Sequence, residues 1–207
     1  MDQVTLYLDT ARAYVDVVRL VGPGDWARPA LGVWDVRSLV GHTARALTTV
    51  VEYLAAPEPS DGDGVLTAPA YLLAFAASPD KAAADAAVAA RGREAGLALG
   101  ADPAGRTAEL ADEAVRALAS VPAGRLVATR FGRLRLEEYL RTRTFELVVH
   151  GFDLVRALDL PGDLLPRPAV DGALELAAQT AAAAGHGPQV LAALTGRATL
   201  PPGFAIL

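Results

Sequence analysis

The sequence predicts an all-α protein built as a helical bundle, and three observations carry that prediction. Apolar residues make up 52% of the 207, but much of that share is alanine, and aromatics reach only 6%. Alanine is the strongest helix former and contributes little burial per residue. Several long stretches repeat their apolar residues at helical spacing. Between them lie short runs of Gly, Pro and Asp, which interrupt helices. A chain of this length can build one ordinary domain with a real core.

The elements follow in order. Residues 2–21 form a first helix, with Val4, Leu8, Ala11, Val15 and Val18 on one face, and GPGDW at 22–26 breaks it. Asp35 is placed to cap a second helix over 36–55, whose stripe runs Val36, Leu39, Val40, Thr43, Leu47, Val50, Val51 and Leu54. APEPSDGDG at 56–64 is a loop by composition. A third helical region spans 68–100, interrupted near Ser78-Pro79 and loosened by Gly92 and Gly96. Asp102-Pro103 starts a helix over 103–120. RLVATRFGRLRL at 125–136 alternates weakly around Gly132 and reads as a short hairpin or an extended connector. A strong helix over 137–158 follows. After the Pro-rich LPGDLLPRPA come a helix at 168–184, a short one at 188–195 and the extended tail TLPPGFAIL, which covers a core edge or forms a homodimer contact. Four principal helices of about 18–22 residues joined by loops make a bundle.

The totals exclude several function classes. Net charge is −5 and the basic residues are scattered, with no run beyond RFGRLR, so no nucleic-acid footprint is expected. There is no cysteine, which removes disulfides, Cys-ligated zinc and a cysteine nucleophile. The first residues lack a secretory signal pattern, and no apolar run of about 18 residues predicts a membrane span, so a cytoplasmic protein is expected.

The helix at 137–158 raises the chemical question. On its wheel Leu140, Leu147, Gly151, Leu154 and Leu158 form the core stripe. Beside it runs one lane of Tyr139, Arg143, Glu146, His150, Asp153 and Ala157, and the far side is again apolar with Phe145, Val149 and Phe152. A carboxylate in such a helix needs a partner or a metal. Glu146 and His150 stand one turn apart, so their heads can converge on one point. Of the three histidines, His186 lies between glycines at a helix end and reads as a cap or surface residue. His42 shares an edge of the second helix with Ala46, Thr49 and Tyr53 and is the better third ligand. The spacing also admits a plain reading, in which His42 and His150 are hydrogen-bonded core residues and Arg143 neutralises Glu146 without any metal.

DWARPALGVWDVRSLVGHTA (25–44), RFGRLRLEEYLRTRTFELVVHGFDLVRALDL (130–160) and ALTGRATLPPGF (193–204) resemble segments of the mycothiol-dependent maleylpyruvate isomerase group, within the DinB-like metal-binding helical bundles. The group shows a Trp about eight residues before a ligating His, and a Glu-x-x-x-His-Gly-x-Asp-Leu signature. The likeness is strong at these segments and weak over 56–120. It implies a DinB-like four-helix bundle with short C-terminal additions. A divalent metal, usually Zn2+, is held by His42, Glu146 and His150, and the open coordination position takes water or the thiol of mycothiol. Members described as isomerases can carry a further C-terminal domain, for which residues 161–207 are too few.

On that basis residues 1–160 are expected to form the metal-binding bundle and 161–207 an extension packed on it. Asp153 is expected to orient a ligand histidine, with a surface carboxylate as the alternative. Arg143 is a candidate to grip a carboxylate of substrate or thiol, against pairing with Glu146 or Glu138. Arg91 and Arg93 are candidates for the thiol or substrate, because the resemblance implies arginines from mid-chain. Tyr53 can line the same cavity or simply pack. Trp34 reads as packing at the start of the second helix. The expected activity is metal-dependent use of a low-molecular-weight thiol for transfer to, or isomerisation of, a small electrophile. A thiol-independent metalloenzyme and a non-catalytic metal- or ligand-binding bundle remain open alternatives.

Overall fold

The computed structural model describes residues 2–60, 64–77 and 80–207. The chain is an all-α, DinB-like bundle with a few very short strands. Helix α1 (Gln3–Arg19) starts at Asp2, whose carboxylate accepts from the Thr5 amide at 2.9 Å. A two-stranded ribbon, β1 (Pro29–Leu31) and β2 (Trp34–Asp35), leads directly into α2 (Val36–Ala55), capped by Asp35 through the Ser38 amide at 2.8 Å. Strand β3 (Val65–Leu66) precedes α3 (Ala68–Ala76), and α4 (Lys81–Ala98) and α5 (Pro103–Leu118) follow. The interruption expected at Ser78-Pro79 lies outside the described residues.

The stretch 125–136 is the hairpin of the two alternatives. Strand β4 (Leu126–Thr129) pairs antiparallel with β5 (Gly132–Arg135), and β3 adds to β5 in parallel. The hairpin runs straight into α6 (Leu136–Ala157), and α7 (Arg167–Ala183) and α8 (Gly187–Leu194) complete the chain. The two-residue strands β2 and β3 left no period to read in the sequence; pairing alone creates them.

The four bundle helices are α1, α2, α5 and α6. Their shared interior holds Tyr7, Leu39, Leu47, Tyr139, Leu140, Leu147 and Leu154, all essentially without solvent exposure. Two of the three fully buried tyrosine hydroxyls are paired: Tyr7 donates to the Ala46 carbonyl at 3.0 Å and Tyr139 to Thr49 Oγ1 at 2.7 Å, while the Tyr14 hydroxyl has no hydrogen-bond partner among the described residues. Helix α7 covers a further face of α6, while Phe145 and Val149 of its far side line a cavity.

Helix α4 lies outside the four and packs on α2. Its only buried residues are Gly92 and Gly96. The sequence reading took these glycines as points of looseness, and the structure corrects this: they are the contact. A Cβ on Gly96 would lie 2.7 Å from the Arg37 carbonyl oxygen, one on Gly92 2.7 Å from the Trp34 ring, and one on Gly41 would collide with the α4 backbone at Gly96. Only hydrogen fits at these positions, so two backbones approach where side chains would hold them apart.

The tail covers an edge of its own chain. Leu200, Phe204 and Ile206 share an apolar groove with Leu174 and Ala177 of α7 and Leu194 of α8. His186 stands exposed at the start of α8, makes no side-chain cap bond and meets the Phe204 ring at 5.4 Å. No helix among the described residues is long and apolar enough to cross a membrane.

Candidate metal centre

Two bundle helices build the site. Asp35 fixes where α2 begins, and so sets His42 two turns in. The β4–β5 hairpin fixes where α6 begins, with Glu137 and Glu138 in its first turn, where carboxylates favour the helix dipole. Both also act as ties. Glu138 accepts from the Ala68 amide at 2.6 Å, and Glu137 from the Gly124 amide at 3.2 Å.

One donor atom from each of His42, Glu146 and His150 lies within 4.8 Å of the other two. Glu146 Oε2 stands 3.4 Å from His150 Nε2 and 3.8 Å from His42 Nε2. The two imidazoles meet edge to face at 4.9 Å between centroids. Behind His150, its Nδ1 lies 3.1 Å from Asp153 Oδ2, and Asp153 in turn accepts from Arg156 at 3.0 Å. A proton held on Nδ1 by that carboxylate leaves Nε2, the atom facing Glu146, as the lone-pair donor. Trp34 lies over His42 at 4.5 Å and donates its indole N–H to the Ala89 carbonyl at 3.0 Å. Its role is therefore wider than packing at a helix start: it fixes the face of one ligand.

The electrostatics match this geometry. Burial, reinforced by the charge on His150, pulls His42 down to about 4, so it is a neutral donor at pH 7. Burial alone would also discharge Glu146 and His150. The hydrogen bond from His150 and the Arg143 charge instead hold the Glu146 carboxyl at about 2, while bonds to Asp153 and Glu146 raise His150 to about 9. Without a metal the site thus holds one extra proton between a carboxylate and two imidazoles. A cation fits the same place by displacing that proton. Two imidazoles and one carboxylate with a face left free make an open donor set, of the kind that suits a metal ion with a coordination position to spare rather than a closed structural one.

The open face looks into a cavity of about 850 Å³. Trp34, Phe75, Phe131 and Phe145 supply its aromatic walls, Arg91 and Arg130 line it with no ion pair among the described residues, and Leu207 reaches its lining. Of the residues singled out in the sequence, His42, Glu146 and His150 come together, Asp153 sits behind them, and Arg91 lines the cavity. Arg93 lies exposed on α4 and is not part of the lining. Arg143 is set beneath the centre, over the Tyr139 ring at 5.0 Å and the Tyr71 ring at 5.9 Å, with its Nε donating to Thr142 Oγ1 at 3.1 Å. Burial opposes its charge, and Tyr139, Glu146 and Tyr71 more than restore it. Tyr53 packs on Tyr139 at 5.3 Å and is likewise absent from the lining.

Residues 7–155 match the family model described as the mycothiol maleylpyruvate isomerase N-terminal domain. The chain belongs to that family. The match takes in both ligand segments and nearly all of the four-helix core, and it covers the 56–120 region where the likeness of the motifs is weak. No curated protein and no solved structure matches the chain. Membership in the mycothiol maleylpyruvate isomerase N-terminal domain family points to mycothiol-linked chemistry, and His42, Glu146 and His150 form a cluster that could hold a metal ion.

Sequence reasoning missed Arg130, Phe75 and Phe131. Arg130 had a signal, since it opens RFGRLR, the densest basic run in the chain. Phe75 and Phe131 had none, because they lie on elements whose meeting point only the fold defines.

Proposed function

We propose that this protein is a metal-dependent enzyme that activates a low-molecular-weight thiol, mycothiol by family, for transfer to or isomerisation of a small electrophile. The reading rests on one observation: three donors from two helices converge at the wall of a cavity and leave one side open. His42, Glu146 and His150 would hold a divalent cation, with zinc favoured by the two nitrogens and one carboxylate. Such an ion supplies positive charge that lowers the pKa of a thiol and keeps it as the nucleophilic thiolate.

The chain's own residues do the rest. Asp153 holds the proton on His150 Nδ1 and aims Nε2 at the centre. Trp34 fixes the His42 ring. Arg143, charged beneath the site, keeps Glu146 anionic. The aromatic walls exclude water from the thiol's path and receive the apolar part of the electrophile. The lack of cysteine accords with a borrowed thiol.

The test combines metal content with turnover. Purified protein should carry about one metal ion per chain, and Glu146→Ala close to none, as read by elemental analysis. With mycothiol and a model electrophile, adduct formation followed by mass spectrometry should require both the metal and His42. Metal content equal in the two proteins would remove the centre. Metal present without any thiol consumption would favour the thiol-independent metalloenzyme.

A further inference from the structure

The tail after α8 links the apolar groove on α7 to the cavity that the metal centre opens into. Residues 198–207 carry no charged side chain. Their sequence encodes one turn. Pro202 and Gly203 are the pair that a type II turn favours, Gly203 takes a φ of 72°, and the Phe204 amide donates to the Pro201 carbonyl at 3.1 Å. Among the described residues, 199–207 make no other backbone hydrogen bond. The tail is therefore held to the body by apolar side chains. Beyond the turn, Phe204 and Ile206 lie in the groove with Leu174 and Ala177 of α7 and Leu194 of α8, and Phe204 meets the His186 ring. Leu207 leaves that groove and lines the metal-centre cavity, where it is the one lining residue contributed from beyond α6. It is 37% exposed, so part of its side chain stays open for a ligand to cover.

A segment with so few backbone ties belongs to the least stable part of a fold. Leu207 keeps its place in the cavity only while Phe204 and Ile206 stay seated. A ligand that covers Leu207 then favours the docked tail, and the docked tail favours the ligand by the same factor. We propose that Leu207 is a specificity-determining residue that gives an apolar ligand body one wall of the cavity, and that Phe204 is the positioning residue that seats it there from the α7–α8 groove. The inference rests on the reading above that the cavity admits a small electrophile. It adds that the part of the electrophile meeting the tail is uncharged and apolar, because the tail offers no group that would bind an ion.

The test measures binding with metal and thiol absent throughout, so a protein without turnover can still show the pattern and the two readings fail separately. The probe is 2-naphthalenemethanol, neutral and largely apolar, titrated into the metal-free full chain by nuclear magnetic resonance. Leu207→Ala should weaken its binding about fivefold, the share of a leucine contact that a ligand can still cover. Leu207→Met should keep most of the affinity, because the apolar volume is conserved. Phe204→Ala should weaken binding by a similar factor although Phe204 does not line the cavity. The double variant should bind no more weakly than Leu207→Ala, since an unseated tail has already withdrawn the wall. Leu191→Ala is the matched control, because Leu191 is exposed on α8 outside both the groove and the cavity, and it should bind like the unaltered protein. All variants should keep full helical circular dichroism, as none of these side chains belongs to the bundle core. Four outcomes overturn the proposal: no binding of the probe to the unaltered protein, unchanged affinity in Leu207→Ala, unchanged affinity in Phe204→Ala, or losses that add in the double variant.

Discussion

At the scale of single residues the centre is a balance of charges that a metal is suited to complete. His150 depends on Asp153 for its tautomer, and outer partners of this kind set ligand basicity. Asp153→Asn should therefore weaken metal binding by about 10- to 100-fold while leaving the fold intact, as read by competition with a chromogenic chelator. An unchanged affinity would reduce Asp153 to an Arg156 partner. The protonation states give a second expectation. In metal-free protein, His150 is raised from 6.5 to about 9, so its stabilisation is complete below pH 6.5 and lost as pH rises through 9. His42 is lowered to about 4, so it destabilises the fold as pH falls from 6.5 toward 4. Chelator-treated protein should then melt highest near neutral pH and lose stability toward pH 9, whereas metal-loaded protein should show no such alkaline loss. A flat profile for the chelated form in differential scanning calorimetry would contradict the proton bridge. Helical spacing put Glu146 and His150 in one lane and left His42 as the better third donor, and the family resemblance made the three a ligand set. Arg130 was not singled out, since only the fold brings it to the cavity.

At the scale of elements the contact between α2 and α4 decides whether the cavity has a back wall. Gly41, Gly92 and Gly96 bring α4 close enough for Trp34 to pass between the helices and lie over His42. Gly41→Val should be strongly destabilising, because its side chain meets helix backbone that no rotamer change relieves. Taking about 3 kcal/mol for such overpacking, and about 2–4 °C per kcal/mol in a chain of this size, the melting midpoint falls by roughly 6–12 °C. Gly24→Ala, where a Cβ meets nothing within 4 Å, serves as the matched control and should leave the midpoint in place. The sequence located α1, α2, α5 and α6 through period and caps, Asp35 and Asp102 included. It misjudged the glycines of α4, because a glycine that loosens a helix and one that lets two helices touch are the same letter.

At the scale of the whole molecule, the core stands without the metal. Tyr7, Tyr139 and the leucines around them bury the bundle's interior away from the centre, and the ligands sit at the cavity wall, 16–25% exposed. A catalytic ion bound to such a fold adds stability by mass action instead of creating it. Metal at about 100 times its dissociation constant should add about 2.7 kcal/mol, or roughly 5–10 °C in the melting midpoint. Chelated protein and Glu146→Ala should keep full helical circular dichroism and a cooperative transition. Unfolding on chelation would make the ion a structural staple and sink the catalytic reading.

The sequence by itself determined the helical class, the bounds of the principal helices and the setting of Glu146 and His150 one turn apart, since period, caps and one-turn spacing are local properties of the chain. Only the tertiary structure decided that His42 meets the pair on α6, that Trp34 lies over it, and that Arg91 and Arg130 share a wall. Those relations depend on how far apart helices pack, and here that distance was set by residues without side chains.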